Sequence, residues 1–250
     1  LKVSHTELLK KHQQVRREYT MPRKLSKKKR KVMSEEEVME QIADQAINDE
    51  GKQPIYIINN IADKSDKDDI RVINCYGDIT ERMASEVLQA MLYFNHTRQD
   101  ILEDAQGNQH EVIKPFRMYV STHGGVVSDM FSILDVMDMI KHDCSIETVG
   151  VGKVMSAGVL LLANGTKGKR KIGRNCRVML HSVISGHHGS FPNIENEMQE
   201  TKALQEMYFD YLCTCTNLTR RKIKKLLLNN VDVYLSAEDA IKYGIADEYL

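Results

Sequence analysis

An α/β layer fold is what this sequence predicts, and three observations predict it. Strand-like and helix-like stretches alternate through residues 70–181. The strand-like runs are β-branched and bounded by Asp, Gly and Pro, and the stretches between them place apolar residues at helical spacing. Parallel strands need helical crossovers, so the alternation implies a mainly parallel sheet covered by helices. At 250 residues the chain is long enough for one substantial core.

Residues 1–53 read as a charged arm outside that core. Arg23, Lys24, Lys27, Lys28, Lys29, Arg30 and Lys31 crowd one stretch, and Ser34-x-x-Glu37 has the form of a capping box opening a helix. Residues 54–250 read as the main domain. "PIYIINNI" and "DIRVINCYGDIT" are strand-like; "ERMASEVLQAMLYFNH" is an amphipathic helix with Met83, Val87, Leu88, Met91 and Leu92 on its apolar face. A polar insertion near 96–112 follows, with the look of a hairpin or loop. The strand "FRMYVS" ends at His123-Gly124-Gly125, and "SDMFSILDVMDMIKH" aligns Met130, Ile133, Leu134, Met137 and Ile140 on one face. Then come the strand "SIETVGVG", a turn at Ser156 with a short apolar helix, the strand "RVMLH", and a long helix over about 193–216.

Composition narrows the function. Thirty-five basic residues balance 35 acidic ones, so net charge pulls toward neither nucleic acid nor a membrane surface; the basic run "SKKKRKV" has the pattern of a nuclear-localisation or nucleic-acid patch, but such charge runs are usually solvated segments. The longest apolar run, "AGVLLLA", is far too short to span a bilayer. Five cysteines, with no C-x-x-C pair, suit buried thiols in a reducing cytoplasmic compartment.

Chemistry concentrates between residues 123 and 181. A serine hydroxyl attacks only when a base takes its proton, the base needs orienting, and the tetrahedral oxyanion needs backbone donors. Small residues around Ser156 permit a tight strand-to-helix turn that exposes the hydroxyl and leaves the Ala157 N–H at a helix start. The pair Gly124-Gly125 lets backbone approach a ligand and makes the Gly125 N–H a second donor candidate. His181 closes a strand, where α/β proteins gather their sites. Singly, a serine here suits a helix cap and the histidine a satisfied structural residue.

In order, these features resemble the proteolytic subunit of the Clp protease. The segments that carry the resemblance are "STHGGVVSDMFSILDVMDMIK", "GKVMSAGVLLLANGTKGKRKIGRNCRVMLH" and "DVYLSAEDAIKYGIADEYL", over roughly residues 70–250. The resemblance implies a Clp/crotonase-like fold of repeated β-β-α units with a protruding strand-helix handle at about 183–217. It implies a Ser156, His181 and Asp232 triad, with Gly125 and Ala157 as backbone oxyanion donors and no metal or other cofactor. It implies a serine endopeptidase acting on unfolded polypeptide, built as a ring-shaped homo-oligomer, a heptamer or tetradecamer, and fed by a separate ATP-driven unfoldase. No Walker-type phosphate loop occurs in the chain itself. Ser182-Val183 stands where the family commonly has Gln-Pro, and Val231 where it usually has arginine. The alternatives are a catalytically silent ring subunit, or a signal-peptide-peptidase-like or crotonase-like enzyme, which share a glycine-rich oxyanion loop.

Overall fold

A computed structural model of the chain describes residues 70–104, 106–227 and 231–250. The capping box at Ser34 and the strand-like run "PIYIINNI" lie outside the described residues. In chain order the elements are β1 (Val72–Tyr76), α1 (Glu81–His96), β2 (Gln99–Glu103), β3 (Gln109–Ile113), β4 (Phe116–Thr122), α2 (Val127–Lys141), β5 (Ile146–Met155), α3 (Ala157–Ala163), β6 (Arg170–Ile172) and β7 (Arg177–Leu180). The long helix α4 (Phe191–Cys215) follows, then α5 (Arg220–Leu226), β8 (Val233–Leu235), α6 (Ala237–Lys242) and β9 (Glu248–Tyr249).

The expected α/β layering is present. A seven-stranded sheet runs β1-β4-β5-β6-β9, all parallel, while β7 pairs in parallel with β5 and antiparallel with β8. On the side away from β4, β5 serves two neighbours, because it is ten residues long: Thr148–Gly150 face β6, and Lys153–Met155 face β7.

Helix faces follow the sequence periodicity. Met130, Ile133, Leu134, Met137 and Ile140 of α2 are all fully buried, each worth on the order of 2 kcal/mol of transfer free energy. In α1 the face is shifted from the expectation: Met83, Val87 and Met91 are buried, but Leu92 is half exposed and Phe94 takes the inner place. The reason is packing at the helix end, where Phe94 meets Phe116 and the Arg71 guanidinium lies over its ring. Thr80 caps α1 by accepting from the Met83 N–H, and Ser236 with Asp239 forms a reciprocal capping box on α6.

The insertion is a β2·β3 hairpin outside the main sheet. Its turn is organised by Asp104, which accepts from the Gln106 and Asn108 N–H groups, the Asn108 amide and the His110 ring. Those bonds, His110 foremost, hold the Asp104 carboxyl at about 2.

The handle departs from expectation in one respect. Its helix is present as α4, but residues 182–189 form no strand. A strand needs a neighbour to take its N–H and C=O groups, and no described strand lies alongside this segment. All five cysteines are free thiols. Burial pushes Cys75 up to about 12 and Cys176 to about 11, which keeps them protonated and unreactive. Among the described residues no helix is long and apolar enough to cross a membrane.

Candidate active site

Two adjacent parallel strands deliver the central pair. Met155 ends β5 in register with Met179 of β7, and the Ser156 N–H donates to the Met179 carbonyl at 2.8 Å. Ser156 is therefore fixed beside the strand that ends one residue before His181. The His181 Nε2 lies 2.7 Å from Ser156 Oγ, hydrogen-bond distance for a base and the proton it removes.

Ser156 itself is strained. Its φ of 53° and ψ of −124° make it the one non-glycine residue with positive φ among the described residues. Such a conformation costs on the order of 1–3 kcal/mol and persists only where surrounding structure enforces it. Here the enforcement is a strand-to-helix turn, with β5 on one side and the fully buried α3 on the other.

The glycine loop packs directly on this turn. A Cβ on Gly124 would lie 2.6 Å from Ser156 Cβ, and one on Gly125 would lie 2.1 Å from the Ile79 carbonyl oxygen. Neither position accepts a side chain. Gly125 bridges to Ile79 through the Ile79 and Val126 N–H groups, which leaves its own N–H out of the bridge. The Ala157 N–H is the first of α3 and has no carbonyl one turn back to donate to.

Thr122 is a site residue that the sequence reading did not single out. It is fully buried, its Oγ1 accepts the Gly124 N–H at 2.9 Å, and its methyl occupies the space in which a Cβ on Gly158 would sit. One side chain thus braces both the glycine loop and the start of α3. The only available signal was a hydroxyl residue two places before Gly124, too common to stand out.

Tyr208 of α4 is buried against the turn, and its hydroxyl donates to the Ser156 carbonyl oxygen at 3.4 Å. Burial pushes this phenol well above its usual range. Ser156, Ala157, His181 and Gly125 line a cleft of about 260 Å³, whose apolar walls are Val127, Met130, Val183, Ile184 and Tyr208.

Asp232 is not bonded to His181. The His181 Nδ1 is buried and has no partner among the described residues, whereas Asp232 is exposed. The β7·β8 ladder pairs Val178 with Leu235, Met179 with Tyr234 and Leu180 with Val233. The next pair in that register would set His181 opposite Asp232, and the ladder stops one pair short of it. Among the described residues no group of three or more His, Cys, Asp or Glu side chains could hold a metal ion.

With this geometry in hand, comparison against protein families gives a match to the Clp protease family model over residues 59–250, more than three quarters of the chain.

Proposed function

The chain belongs to the Clp protease family and is a serine-type peptidase; from that premise we propose that Ser156 is its nucleophile, His181 its general base and Asp232 the orienting carboxylate. The observation that carries this reading is the 2.7 Å contact between His181 Nε2 and Ser156 Oγ at a strained turn. For Nε2 to take the serine proton, neutral His181 must carry its own proton on Nδ1. That buried Nδ1–H is then a donor in need of an acceptor, and one further β7·β8 pair would supply the Asp232 carboxylate.

The reaction runs as acyl transfer in two halves. Ser156 Oγ attacks the peptide carbonyl as His181 takes its proton, and the Gly125 and Ala157 N–H groups hold the oxyanion. The imidazolium protonates the leaving amine. His181 then activates water, which releases the acyl group and restores the serine. No step calls on a metal or other cofactor.

Clp proteases generally form rings that work with ATPase partners on unfolded substrates. We extend this to the present chain as a ring-shaped homo-oligomer fed by a separate unfoldase. What supports the extension is apolar surface on α4: Phe191 is largely exposed, and Met198 and Met207 are half exposed. A second copy would cover such a face.

Fluorophosphonate labelling, with the modified peptide located by mass spectrometry and the particle sized by light scattering, tests the reading. The expected result is label on Ser156 in a ring-sized particle, lost in Ser156→Ala. No label in a ring-sized particle, with or without added unfoldase, would overturn it.

Thr122 gives a finer test. Thr122→Val keeps the shape and removes the oxygen that holds the Gly124 N–H. Steady-state kinetics should show kcat reduced about tenfold, because a misplaced oxyanion donor weakens transition-state stabilisation. Thr122→Ser should restore it.

A further inference from the structure

We propose that Gln205 of α4 is a positioning residue that sets the cleft wall against which the peptide substrate lies, an inference that rests on the triad reading above. The wall in question is the start of the strap, residues 182–189. Ser182, Val183 and Ile184 line the cleft beside Ser156 and His181. A peptide whose carbonyl carbon reaches Ser156 Oγ therefore runs along them.

No described strand fixes this strap; side chains of α4 do. Positions 197, 201, 205 and 208 are spaced by four, four and three residues, which puts them on one helical stripe. Each engages the strap or the nucleophile turn. Glu197 Oε2 lies 2.8 Å from His187 Nδ1, and Thr201 Oγ1 lies 3.0 Å from His187 Nε2. Gln205 Oε1 accepts the Val183 N–H at 2.7 Å, and the Tyr208 hydroxyl reaches the Ser156 carbonyl. The stripe zips the strap onto the helix from the far end of the loop to the nucleophile.

Within that stripe Gln205 alone grips the strap's main chain among the described residues, and it does so two residues from His181. Its bond decides where the backbone of 182–184 sits relative to Ser156. The other side chains hold the strap farther out or hold the serine turn. Gln205 Nε2 is buried with no partner among the described residues, so the amide carries a cost in unmet hydrogen bonding, and its one hydrogen bond there is the grip on Val183.

Removing the acceptor should leave the Val183 N–H unmet and let the wall drift. Substrates that use the wall along their length should then suffer more than those that barely reach it. The test compares wild type, Gln205→Met and Gln205→Glu as assembled full chains. Each is measured on a fluorogenic dipeptide and an internally quenched decapeptide.

Gln205→Met, of matched length but without the amide oxygen, is expected to raise KM for the decapeptide about tenfold with the loss in KM rather than kcat. The effect should fall at least about five times more heavily on the decapeptide than on the dipeptide, since positioning contacts act along the bound chain. Gln205→Glu keeps an acceptor for the Val183 N–H and should restore most of the decapeptide KM. An unchanged decapeptide KM, an equal loss on both substrates, or no recovery in Gln205→Glu would overturn the proposal. If wild type cleaves neither substrate and fluorophosphonate leaves Ser156 unlabelled, the triad assignment falls and this inference falls with it.

Discussion

Gly124→Ala is expected to lower kcat/KM for peptide hydrolysis by about 100-fold or more, although Gly124 has no side chain and takes no part in the chemistry. The added Cβ would stand 2.6 Å from Ser156 Cβ, 3.0 Å from Ser156 Oγ and 3.1 Å from the Met155 carbonyl oxygen. No flexible chain end is among these atoms, so relief requires backbone movement. The residue also sits at a φ of 107°, a region alanine avoids. The serine and the glycine loop must separate, which lengthens the 2.7 Å contact with His181 and displaces the Gly125 N–H. Fluorophosphonate reactivity should fall in parallel with hydrolysis, because both need the activated hydroxyl. Full labelling with normal turnover would show that the loop does not bear on the serine as described.

The central pair was legible in the sequence for a physical reason. A tight strand-to-helix turn needs small residues, and a histidine delivered to it by the neighbouring strand must lie at a strand end, so Ser156 and His181 each left a local mark that the family resemblance joined into a pair. The helices α1 and α2 were equally readable, since a 3.6-residue period reports directly which face is buried. What local pattern cannot carry is partnership at a distance. Nothing in "SIETVGVGKVM" tells that its first half pairs with β6 and its second with β7, yet that split is what sets Ser156 beside His181.

The same limit explains the misses. Leu92 and Phe94 are both apolar and lie two residues apart, and only the presence of Phe116 and Arg71 decides which turns inward. Gln205 reads as an ordinary polar helix residue until the strap lies against it. The strap was expected to be a strand through the family resemblance alone; only Val183 and Ile184 of its residues are β-branched, and no described strand lies beside it. Asp232 was singled out through family resemblance, and the β7·β8 register would set it opposite His181 only if extended by one pair.

Asp247→Ala should cost about 3–5 kcal/mol of stability, because it leaves a buried cation without its partner. Arg170 is 4% exposed, and its guanidinium makes a two-pronged contact with Asp247, with Nε to Oδ2 at 2.9 Å. Its remaining arm donates to the carbonyls of Ala163, at the end of α3, and Cys215, at the end of α4. Asp247 further accepts the N–H groups of Gly168 and Arg170. One carboxylate thus anchors the segment before β9, through Arg170, to the ends of α3 and α4.

Burial by itself would push the Asp247 carboxyl up; the Arg170 guanidinium, the backbone donors and the nearby positive charge outweigh it and hold the group below its ordinary value. A depressed carboxyl stabilises the fold above its unfolded value of about 3.9, and that contribution fades as pH falls through the lower folded value. Urea unfolding at fixed protein concentration should therefore separate wild type from Asp247→Ala by the full amount near pH 7. The gap should narrow only in acid, below about pH 4. In a thermal melt the same loss corresponds to roughly 6–20 °C for a domain of this size. A difference under about 1 kcal/mol at neutral pH would mean that Arg170 finds other acceptors, and that the anchor is held by its two helix carbonyls rather than by the ion pair.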